Sequence, residues 1–338
     1  MHPRVTIADV ARHAQVSTSA VSKVLRDAYG VSPAMRTRVR AAIEELGYRP
    51  HVAARALRGH TSTLGVLLPD LRNPFFPDLV DGIAEGVGGT GYQLVIGQAG
   101  REPETESRAV HALIDQSVGG LVLVVPLASP AELEVIAATV PVVVLGRHDR
   151  SAAYDSVFDD DEAGAELVVE HLAGLGHRRI AHIAHRDGSR GHPSTLLQSL
   201  RATAYERAMG ARGLTEGIDL VWSTYSEQGG HLAAAELLRR PYPPTAIFAG
   251  ADLAAIGALA ALSEAGLAVP GDVSVAGYDN SWLAALAHIS LTSVDQSGGT
   301  MGRTAARLLL ERLAGRSASV RISISPTLVA RRTTARAL

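Results

Sequence analysis

The chain has 338 residues, of which 46% are hydrophobic and 20% are charged, and it contains no cysteine. This length predicts two or three domains, each large enough to bury a hydrophobic core. The absence of cysteine excludes disulfide bonds, thiol catalysis and cysteine-ligated zinc, and we predict no cofactor and no metal site. No apolar stretch approaches the ~20 residues that span a bilayer, and the first twenty residues lack the apolar run of an export signal. We therefore expect a soluble cytoplasmic protein without membrane contact.

The charge is distributed unevenly along the chain. Residues 1–60 contain ten Lys and Arg residues against four Asp and Glu residues, a net charge of +6, whereas the remainder carries −8 and the whole chain −2. A basic head on an acidic body is typical of a DNA-binding module joined to a second function. Charge alone leaves open the alternative that the head is simply a soluble surface.

The first fifty residues have the pattern of three short helices. Thr6 and Asp9 have the spacing of a capping box, which begins a helix. Ser17 is placed to cap a second helix and Ser32 to cap a third, and apolar residues recur on one face of each helix. Two helices joined by a short turn form the DNA-binding helix-turn-helix, whose second helix enters the major groove. We therefore predict a helix-turn-helix head.

The predicted second helix carries polar side chains opposite its apolar residues. Thr18 and Ser19 lie at its start, and Lys23 lies about one turn later. A cation at this place can contact a guanine or a phosphate of the DNA. The alternative is a structural bundle in which Lys23 is a solvated surface residue. The predicted DNA-binding residues of the head are Thr6, Ser17, Thr18, Ser19, Ser22, Lys23, Ser32 and Arg36.

From residue 63 onward, short runs rich in Val and Leu alternate with helix-length segments. This alternation predicts βαβ units and parallel sheets that are covered on both faces. The predicted strands form two sets, Leu64–Leu68, Gln93–Ile96, Leu121–Val125 and Val142–Leu145, then Arg179–Ile183, Thr245–Ala249 and Val273–Ala276. The predicted fold class is a small all-α head followed by an α/β core with two parallel-sheet subdomains. Ligands of such sheets bind beyond the carboxyl ends of the strands, which predicts a ligand cleft there.

Five segments resemble the LacI–GalR family of transcriptional regulators, in the family's order along essentially the whole chain. They are Val5–Leu25 (VTIADVARHAQVSTSAVSKVL), Gly47–Leu57 (GYRPHVAARAL), Leu64–Phe76 (LGVLLPDLRNPFF), His171–Ile180 (HLAGLGHRRI) and Ser274–Asp279 (SVAGYD). The resemblance implies a helix-turn-helix domain at residues 1–50, a hinge at 51–61 and a periplasmic-binding-protein-like effector core at 62–338. In the core it implies an N-subdomain of about 62–160 and 292–322, and a C-subdomain of about 161–291 and 323–338.

The implied hinge has a physical logic of its own. Its Ala-rich run from His51 to Arg58 is too short to be stably helical alone in water. The resemblance implies that paired hinge helices of a homodimer enter the minor groove, where Ala54 and Leu57 contact the DNA and Leu57 wedges into a base step. Apolar wedges that kink the duplex are a general device of minor-groove binding. The alternative is a plain linker.

The resemblance also implies effector-binding roles for residues near strand ends. The implied residues are Phe75, Phe76, Arg147, Arg201, Asp279, Trp282 and Gln296. The two phenylalanines would stack on a sugar ring, the two arginines would donate hydrogen bonds, and the aspartate would accept a pair of hydroxyl bonds. The glutamine would reach the same ligand from a crossover strand, and the tryptophan either stacks on the effector or packs against the protein. Each could instead be an ordinary polar or apolar residue of a strand end.

Two positions depart from the family's pattern. Gly146 and Ala251 stand where many relatives carry Asp and Asn, so two hydrogen-bonding groups are missing. We therefore expect an effector that is larger, partly exposed or less polar than a monosaccharide whose every hydroxyl is bonded.

Several motifs are discounted. Gly86–Gly91 matches the GxGxxG pattern but precedes a predicted strand, so it predicts no dinucleotide site. The acidic run Asp159–Asp161 is interpreted as a helix cap, and His182 and His185 are interpreted as structural residues. No nucleophile or acid–base motif stands out, and we predict that the protein is not an enzyme.

These features together predict a ligand-responsive transcriptional regulator, interpreted as a repressor of carbohydrate-use genes. We expect a homodimer that binds near-palindromic double-stranded operator DNA, each subunit contacting one half-site. A small-molecule effector, a sugar or sugar derivative, would bind in the cleft and change the affinity for DNA. The rival hypothesis is a sugar-binding protein of a transport system, which predicts an export signal and no DNA-binding head.

Overall fold

The computed structural model describes residues 5–25, 28–48, 62–185 and 197–338, and the side chains of 197–199 are not included. The predicted hinge contacts Ala54 and Leu57 lie outside these residues. The chain divides into two compact units, Met1–Thr61 and Ser62–Leu338, which we call the head and the core. None of the helices in the described ranges has the length and apolar character needed to cross a membrane.

The head contains the three predicted helices, α1 (Ile7–His13), α2 (Thr18–Leu25) and α3 (Pro33–Glu45). The capping box is present, since the Asp9 N–H donates to Thr6 Oγ1 at 3.3 Å and the Thr6 N–H donates to Asp9 Oδ2 at 2.9 Å. Ser17 and Ser32 each accept a hydrogen bond from the N–H three residues later, at 3.1 and 3.3 Å. The helix starts that the sequence predicted are therefore confirmed by their caps.

The apolar faces of the three helices meet in one small core. Its buried members are Val10, Ala11, Ala14, Val21, Val24, Val39 and Ala42. Leu25, which the pattern placed on the apolar face of α2, is 38% exposed. It is the last residue of α2.

The first sheet of the core has six strands within the described residues, in the order β11-β5-β4-β3-β1-β2, all parallel. They are β1 (Thr63–Leu68), β2 (Gln93–Gln98), β3 (Gly120–Val124), β4 (Val142–Leu145), β5 (Asp155–Asp159) and β11 (Arg321–Ile324). The helices that cover it are α4 (Phe75–Val87), α5 (Pro103–Asp115), α6 (Pro130–Ala137) and α11 (Gly298–Leu313).

The second sheet has the same arrangement, with strand order β12-β10-β9-β8-β6-β7 and an antiparallel pair between β10 and β12. Its strands are β6 (Ile180–His185), β7 (Ile218–Ser223), β8 (Ala246–Ala249), β9 (Ser274–Asp279), β10 (Thr292–Asp295) and β12 (Thr327–Val329). Its helices are α7 (Asp161–Gly174), α8 (Leu197–Ala211), α9 (Glu227–Leu237) and α10 (Asp252–Glu264).

Both faces of each sheet are buried. On β4, Val143 and Leu145 pack in the cluster with α4 and α11, whereas Val142 and Val144 pack in the cluster with α5 and α6. Alternate residues of a strand point to opposite faces, so a strand between two helix layers is apolar throughout. This explains why continuous Val and Leu runs predicted the central strands correctly.

The chain crosses between the two subdomains three times within the described residues: between β5 and α7, between β10 and α11, and between β11 and β12. The predicted crossover at 292 falls too early, because β10 pairs with β9 in the second sheet. The predicted boundary at 322–323 cuts β11, which pairs with β5 through Ile324. Strands of three or four residues carry too little pattern to indicate which sheet they join.

Helices α4 and α11 touch through their backbones. A Cβ atom on Gly82 would lie 2.2 Å from the Gly299 carbonyl oxygen, so only glycine fits there. This contact holds the start of α11 against the first subdomain and thereby fixes the crossover residues that precede it.

Candidate functional site

The polar side of α2, which we predicted to contact DNA, is exposed. Thr18, Ser19 and Lys23 are all exposed, whereas Val21 and Val24 on the other side of the helix are buried. The Ser17 hydroxyl caps α2 and also lies 3.0 Å from the Ser19 hydroxyl. Short polar side chains and one cation are therefore presented together at the start of this helix.

The other residues of the head that we predicted to contact DNA differ in their exposure. Ser22 is only 8% exposed, because α2 turns it toward the interior between Val21 and Lys23. Thr6 and Ser32 are exposed but accept the capping hydrogen bonds described above. Arg36 is half-buried in the first turns of α3.

In the core, the carboxyl ends of the two sheets face each other. Arg101, which follows β2, has its Nη1 atom 3.5 Å from Nε2 of His185 at the end of β6. The Asn73 side chain, which follows β1, lies beside the Asp279 carboxylate at the end of β9. We call this region the cleft, and it lies where the strand order of parallel sheets places a ligand site.

Arg201 of α8 is at the centre of the cleft and is 3% exposed. Its Nε donates to Asp161 Oδ1 at 2.6 Å, and its Nη1 donates to the Gly250 carbonyl oxygen at 2.8 Å. Its guanidinium carbon lies 3.7 Å from the centre of the Tyr278 ring. The arginine is thus fixed from three sides before any ligand arrives.

The same guanidinium reaches two of the three crossovers between the subdomains. Its Nη2 lies 3.4 Å from Gln296 Oε1 and 3.8 Å from Asp159 Oδ2. Gln296 extends this hydrogen-bond network to Asp279, since its Nε2 donates to Asp279 Oδ1 at 2.5 Å. The structure therefore brings together three predicted residues, Arg201, Asp279 and Gln296.

Asp159 is buried at the end of β5, and Tyr278 Oη donates to its Oδ2 at 2.7 Å. Its Oδ1 has no hydrogen-bond partner among the described residues. Burial, reinforced by the neighbouring Asp161 charge, raises the pKa of Asp159 to about 7 despite the opposing effect of Arg201. This carboxyl is therefore poised to change charge near neutral pH.

Asp279 combines backbone strain with an unsatisfied oxygen. Its φ is +111°, a conformation that L-residues rarely adopt and that is found mainly at functional sites. Its Oδ2 is buried and accepts no hydrogen bond within the described part of the chain. Burial and the nearby Asp252 carboxylate raise the pKa of Asp279 well above its ordinary value.

Asp252, at the start of α10, holds the loop that follows Asp279. Its Oδ2 accepts from the Ser281 N–H at 2.7 Å and the Ser281 hydroxyl at 2.8 Å, and its Oδ1 accepts from the Ser293 hydroxyl at 2.6 Å. Burial outweighs these hydrogen bonds and raises the pKa of Asp252 to about 6. The preceding Ala251 caps α10 without a side-chain hydrogen bond, in line with the missing polar group noted in the sequence.

Arg147 serves its own subdomain. Its Nη1 donates to the carbonyl oxygens of Pro126 at 2.8 Å and Ala128 at 2.6 Å, and its Nη2 pairs with Asp149. The side chain is 3% exposed. It therefore holds the loop after β3, and only Nε remains without a hydrogen-bond partner among the described residues.

The predicted aromatic residues differ in their exposure. Phe75 and Phe76 are each 7% exposed and belong to the core cluster with Met301 of α11. Trp282 is 58% exposed. Their contacts with an effector stay predictions.

Sequence reasoning missed four side chains of the network: Asp159, Asp161, Tyr278 and His148. Asp160 does cap α7, accepting from the Ala163 N–H at 3.0 Å. Asp161 instead binds Arg201 and lies 2.8 Å from His148 Nε2. The signal in the sequence was the acidic run at the end of a strand. A helix cap needs only one of these three carboxylates, so the other two were available for other contacts.

The discounted histidine pair has structural contacts. His182 is buried, and its Nδ1 lies 2.9 Å from the Phe248 carbonyl oxygen. Burial lowers its pKa to about 4, so the ring is neutral at physiological pH. Within the described ranges, no group of three His, Cys, Asp or Glu residues is arranged to hold a metal ion.

Comparison with known proteins finds a matching family model in the head and another in the core. The model of "Bacterial regulatory proteins, lacI family" matches residues 6–51, and the "Periplasmic binding protein-like domain" matches residues 169–334. The ribose operon repressor of Escherichia coli (strain K12) is 34% identical over 313 residues, which cover 91% of this chain and 93% of that protein. The chain belongs to the LacI family. The HTH-type transcriptional repressor PurR of Erwinia tasmaniensis is 32% identical, and the match covers 98% of this LacI-family chain and 97% of that protein.

Solved structures of LacI-family proteins are similar to this chain. The lac repressor dimer bound to operator and the anti-inducer ONPF has a TM-score of 0.83 at 29% identity, covering 98% of this chain and 100% of that one. The complex of the regulator CelR with cellobiose has a TM-score of 0.70 at 31% identity, with the same coverage. A family member from Enterococcus faecium with bound ribose has a TM-score of 0.71 at 27% identity, covering 82% and 100%.

These relatives confirm the predicted family, fold class and function class. This LacI-family protein is a ligand-responsive, DNA-binding transcriptional regulator with a helix-turn-helix head and a periplasmic-binding-protein-like core. The matched relatives are transcriptional repressors, and this regulator is not an enzyme. The alternative of a transport protein is not favoured.

Proposed function

We propose that this LacI-family regulator acts in the cytoplasm as a homodimeric repressor of carbohydrate-use genes, and that an effector in the cleft releases it from its operator. The observation that carries the proposal is the exposed polar face of α2 on the same chain as a buried network at the cleft. The E. coli ribose operon repressor and the ribose- and cellobiose-bound neighbours support a sugar or sugar derivative as effector.

The head would read DNA through α2. Thr18 and Ser19 suit contacts to base edges or phosphates, and Lys23 suits a guanine or phosphate contact. Ser17, Ser32, Thr6 and Arg36 would position the head on the backbone, while the burial of Ser22 supports a smaller part for it. In a dimer, two such helices meet half-sites one helical turn apart, about 34–36 Å.

The cleft would act by ligand-dependent closure. Asp279 would accept effector hydroxyls through its unsatisfied Oδ2, while Gln296 and Arg201 tie the crossovers to the same point. A ligand whose bonds are complete in only one arrangement of the two subdomains shifts the population toward that arrangement. Arg147, Phe75 and Phe76 would shape the first subdomain's side of the cleft, and the exposed Trp282 would lie at its rim.

Replacing Lys23 by alanine is expected to weaken operator binding without altering effector binding. Loss of a good base or phosphate contact costs about 1–3 kcal/mol, which is roughly a five- to hundredfold loss of affinity. The measurement is a fluorescence-anisotropy titration of labelled operator DNA at fixed salt. Arg303→Ala removes one positive charge from the half-exposed surface of the core and should bind as the wild type does. Wild-type affinity in Lys23→Ala would contradict the role of α2.

Replacing Asp279 by asparagine is expected to leave operator binding intact and to weaken effector release. The amide keeps the shape of the carboxyl group but turns one of its two oxygens into a donor, and a hydrogen bond left unmade at a buried group costs about 1–3 kcal/mol, roughly fivefold or more in affinity. D-Ribose and cellobiose, titrated against the operator complex, are the first ligands to measure. Asp115→Asn, an exposed site in the core, is the control. Equal release by both variants would contradict the proposed cleft.

A further inference from the structure

The loop 279–281, which follows β9 and contains the proposed effector-binding residue Asp279, has a rarely adopted backbone conformation. Both Asp279 and Asn280 have positive φ angles, +111° and +47°, and such conformations persist only where surrounding groups hold them. We infer that Arg331, near the C-terminus, is a positioning residue for effector binding: it holds Asn280 and thereby fixes the direction in which the Asp279 carboxylate points. This inference rests on the proposed function, because it assumes that Asp279 binds the effector.

The first argument is the pair of hydrogen bonds that the Arg331 side chain makes. Its Nη2 donates to Asn280 Oδ1 at 2.7 Å, and its Nη1 donates to the Leu291 carbonyl oxygen at 2.6 Å. Leu291 is fully buried and directly precedes β10. The guanidinium is planar, so its donors have a fixed geometry relative to each other. Arg331 therefore ties the Asn280 side chain to a fixed point of the second sheet.

The second argument is that Arg331 also influences a partner that holds the backbone of the same loop. The Asn280 N–H donates to the Ser293 hydroxyl at 3.0 Å, and the Ser281 N–H donates to Asp252 Oδ2 at 2.7 Å. Burial raises the pKa of Asp252 to about 6, whereas its serine hydrogen bonds and the positive charge of Arg331 act in the opposite direction. Arg331 thus favours the charged form of Asp252, which only accepts hydrogen bonds and therefore suits the two donors of Ser281.

The third argument is that the chain around Arg331 is itself held in place. The Arg331 N–H donates to the Thr292 hydroxyl at 2.8 Å. Two residues further on, the Thr333 hydroxyl accepts from the Thr292 N–H at 2.9 Å, and the Thr333 carbonyl oxygen accepts from the Val275 N–H at 2.8 Å. These bonds fix the segment against β9, from which the loop emerges, and against β10. The loop is therefore held by a side chain whose own position is set by strands of the second sheet.

Amide hydrogen exchange in the full-length protein without ligand tests the positioning step. Arg331→Met keeps an unbranched side chain and removes every donor of the guanidinium. Openings that break the Asn280 and Ser281 N–H bonds should become more frequent, so both amides are expected to exchange at least about tenfold faster. Arg332→Met is the matched control, because Arg332 is exposed and donates to the Ala287 carbonyl oxygen instead. Unchanged exchange at 280 and 281 in Arg331→Met, or equal acceleration in both variants, overturns the inference.

Operator release by sugar tests the consequence for the effector. Arg331→Met and Asn280→Gly are each expected to require at least about fivefold more D-ribose or cellobiose for half release, at unchanged operator affinity. Glycine adopts a φ of +47° without steric cost, so Asn280→Gly removes the acceptor of Arg331 without disfavouring the backbone of the loop. The double variant should release no more weakly than Arg331→Met, because both substitutions remove the same contact. Wild-type release in both single variants, or fully additive losses in the double variant, overturns the inference.

Asp279→Asn distinguishes failure of this inference from failure of the proposed function. Weaker release in Asp279→Asn together with wild-type release in Arg331→Met overturns the inference and leaves the proposed cleft standing. Wild-type release in Asp279→Asn overturns the proposed function and the inference with it. A loss in Arg331→Met that persists undiminished when Asp279→Asn is added shows that the arginine does not act through Asp279, which also overturns the inference. The exchange measurement decides the positioning step even where neither sugar releases the operator.

Discussion

Replacing Arg201 by alanine is expected to lower the free energy of unfolding by about 3–5 kcal/mol. The loss arises because the substitution leaves buried carboxylates without their cation, which costs far more than the intact pair contributes. Asp161 is fully buried and lies 2.6 Å from Arg201 Nε, and Asp159 lies 3.8 Å from Nη2. Denaturant unfolding of the full chain, followed by circular dichroism, measures the difference.

Arg207→Ala is the matched control for this prediction. Arg207 lies on the same helix and pairs with Glu162, but both side chains are more than half exposed. Exposed pairs contribute about 0–1 kcal/mol, so this variant should unfold almost as the wild type does. Equal losses in the two variants would show that the Arg201 network does not carry the stability we assign to it.

The Arg201→Ala deficit should also depend on pH. The pKa of Asp159 is already raised to about 7, so the carboxyl is largely protonated at pH 5 and needs no cation there. We therefore expect the deficit to be larger at pH 8 than at pH 5. A deficit that does not change with pH would indicate that lost packing, rather than an unpaired carboxylate, causes the destabilisation.

Replacing Asp155 by asparagine is expected to cost about 3 kcal/mol or more of unfolding free energy, because it leaves Arg312 without its carboxylate and Arg316 with Glu311 alone. The fully buried Asp155 accepts from Nε of Arg312 at 2.9 Å, from Nη2 of Arg316 at 2.6 Å and from the Val320 N–H at 2.7 Å. These bonds join β5 to the end of α11 and to the start of β11. Asparagine can satisfy at most part of this donor set.

The Asp155 contribution has a defined dependence on pH. Burial alone would raise the pKa of Asp155, but the hydrogen bonds from Arg316 and Arg312 outweigh it and the pKa is lowered. Its stabilisation is therefore complete above the ordinary aspartate pKa of 3.8 and is lost as the pH falls through the lowered value. The wild type should approach the stability of Asp155→Asn only in strong acid.

Asp219→Asn provides the control for Asp155→Asn. Asp219 also receives two hydrogen bonds from one arginine, Arg240, but both side chains are about one-third exposed. A loss below about 1 kcal/mol is expected there. If Asp219→Asn were as damaging as Asp155→Asn, burial would not be the reason for the predicted difference.

Several elements of the fold followed from the sequence alone because local physics determines them. The three helices of the head begin directly after Thr6, Ser17 and Ser32, since each of these side chains accepts a hydrogen bond from the backbone N–H three residues later. The central strands followed as well, because a strand buried on both faces is apolar at every position. Segment motifs in the right order then identified the family.

Several less buried strands were not predicted from the sequence. β7 is largely half-buried, and β11 alternates exposed with half-buried residues, so neither carries a continuous apolar run. β5 begins and ends in aspartate, and its acids were assigned to a helix cap. An edge strand depends on its neighbour for pairing, and that neighbour is distant in the sequence.

The sequence by itself determined the family, the fold class, the helix starts and three residues of the cleft network, Arg201, Asp279 and Gln296. Only the tertiary structure decided that Arg147 binds the loop after β3, that Phe75 and Phe76 pack in the cluster with Met301, and that Asp159 and Asp161 join Arg201. The physical reason is the range of the interactions. A cap or an apolar face is complete within one turn, whereas a buried charge takes the partner that the folded chain brings to it, here from 40 residues away for Arg201 and Asp161.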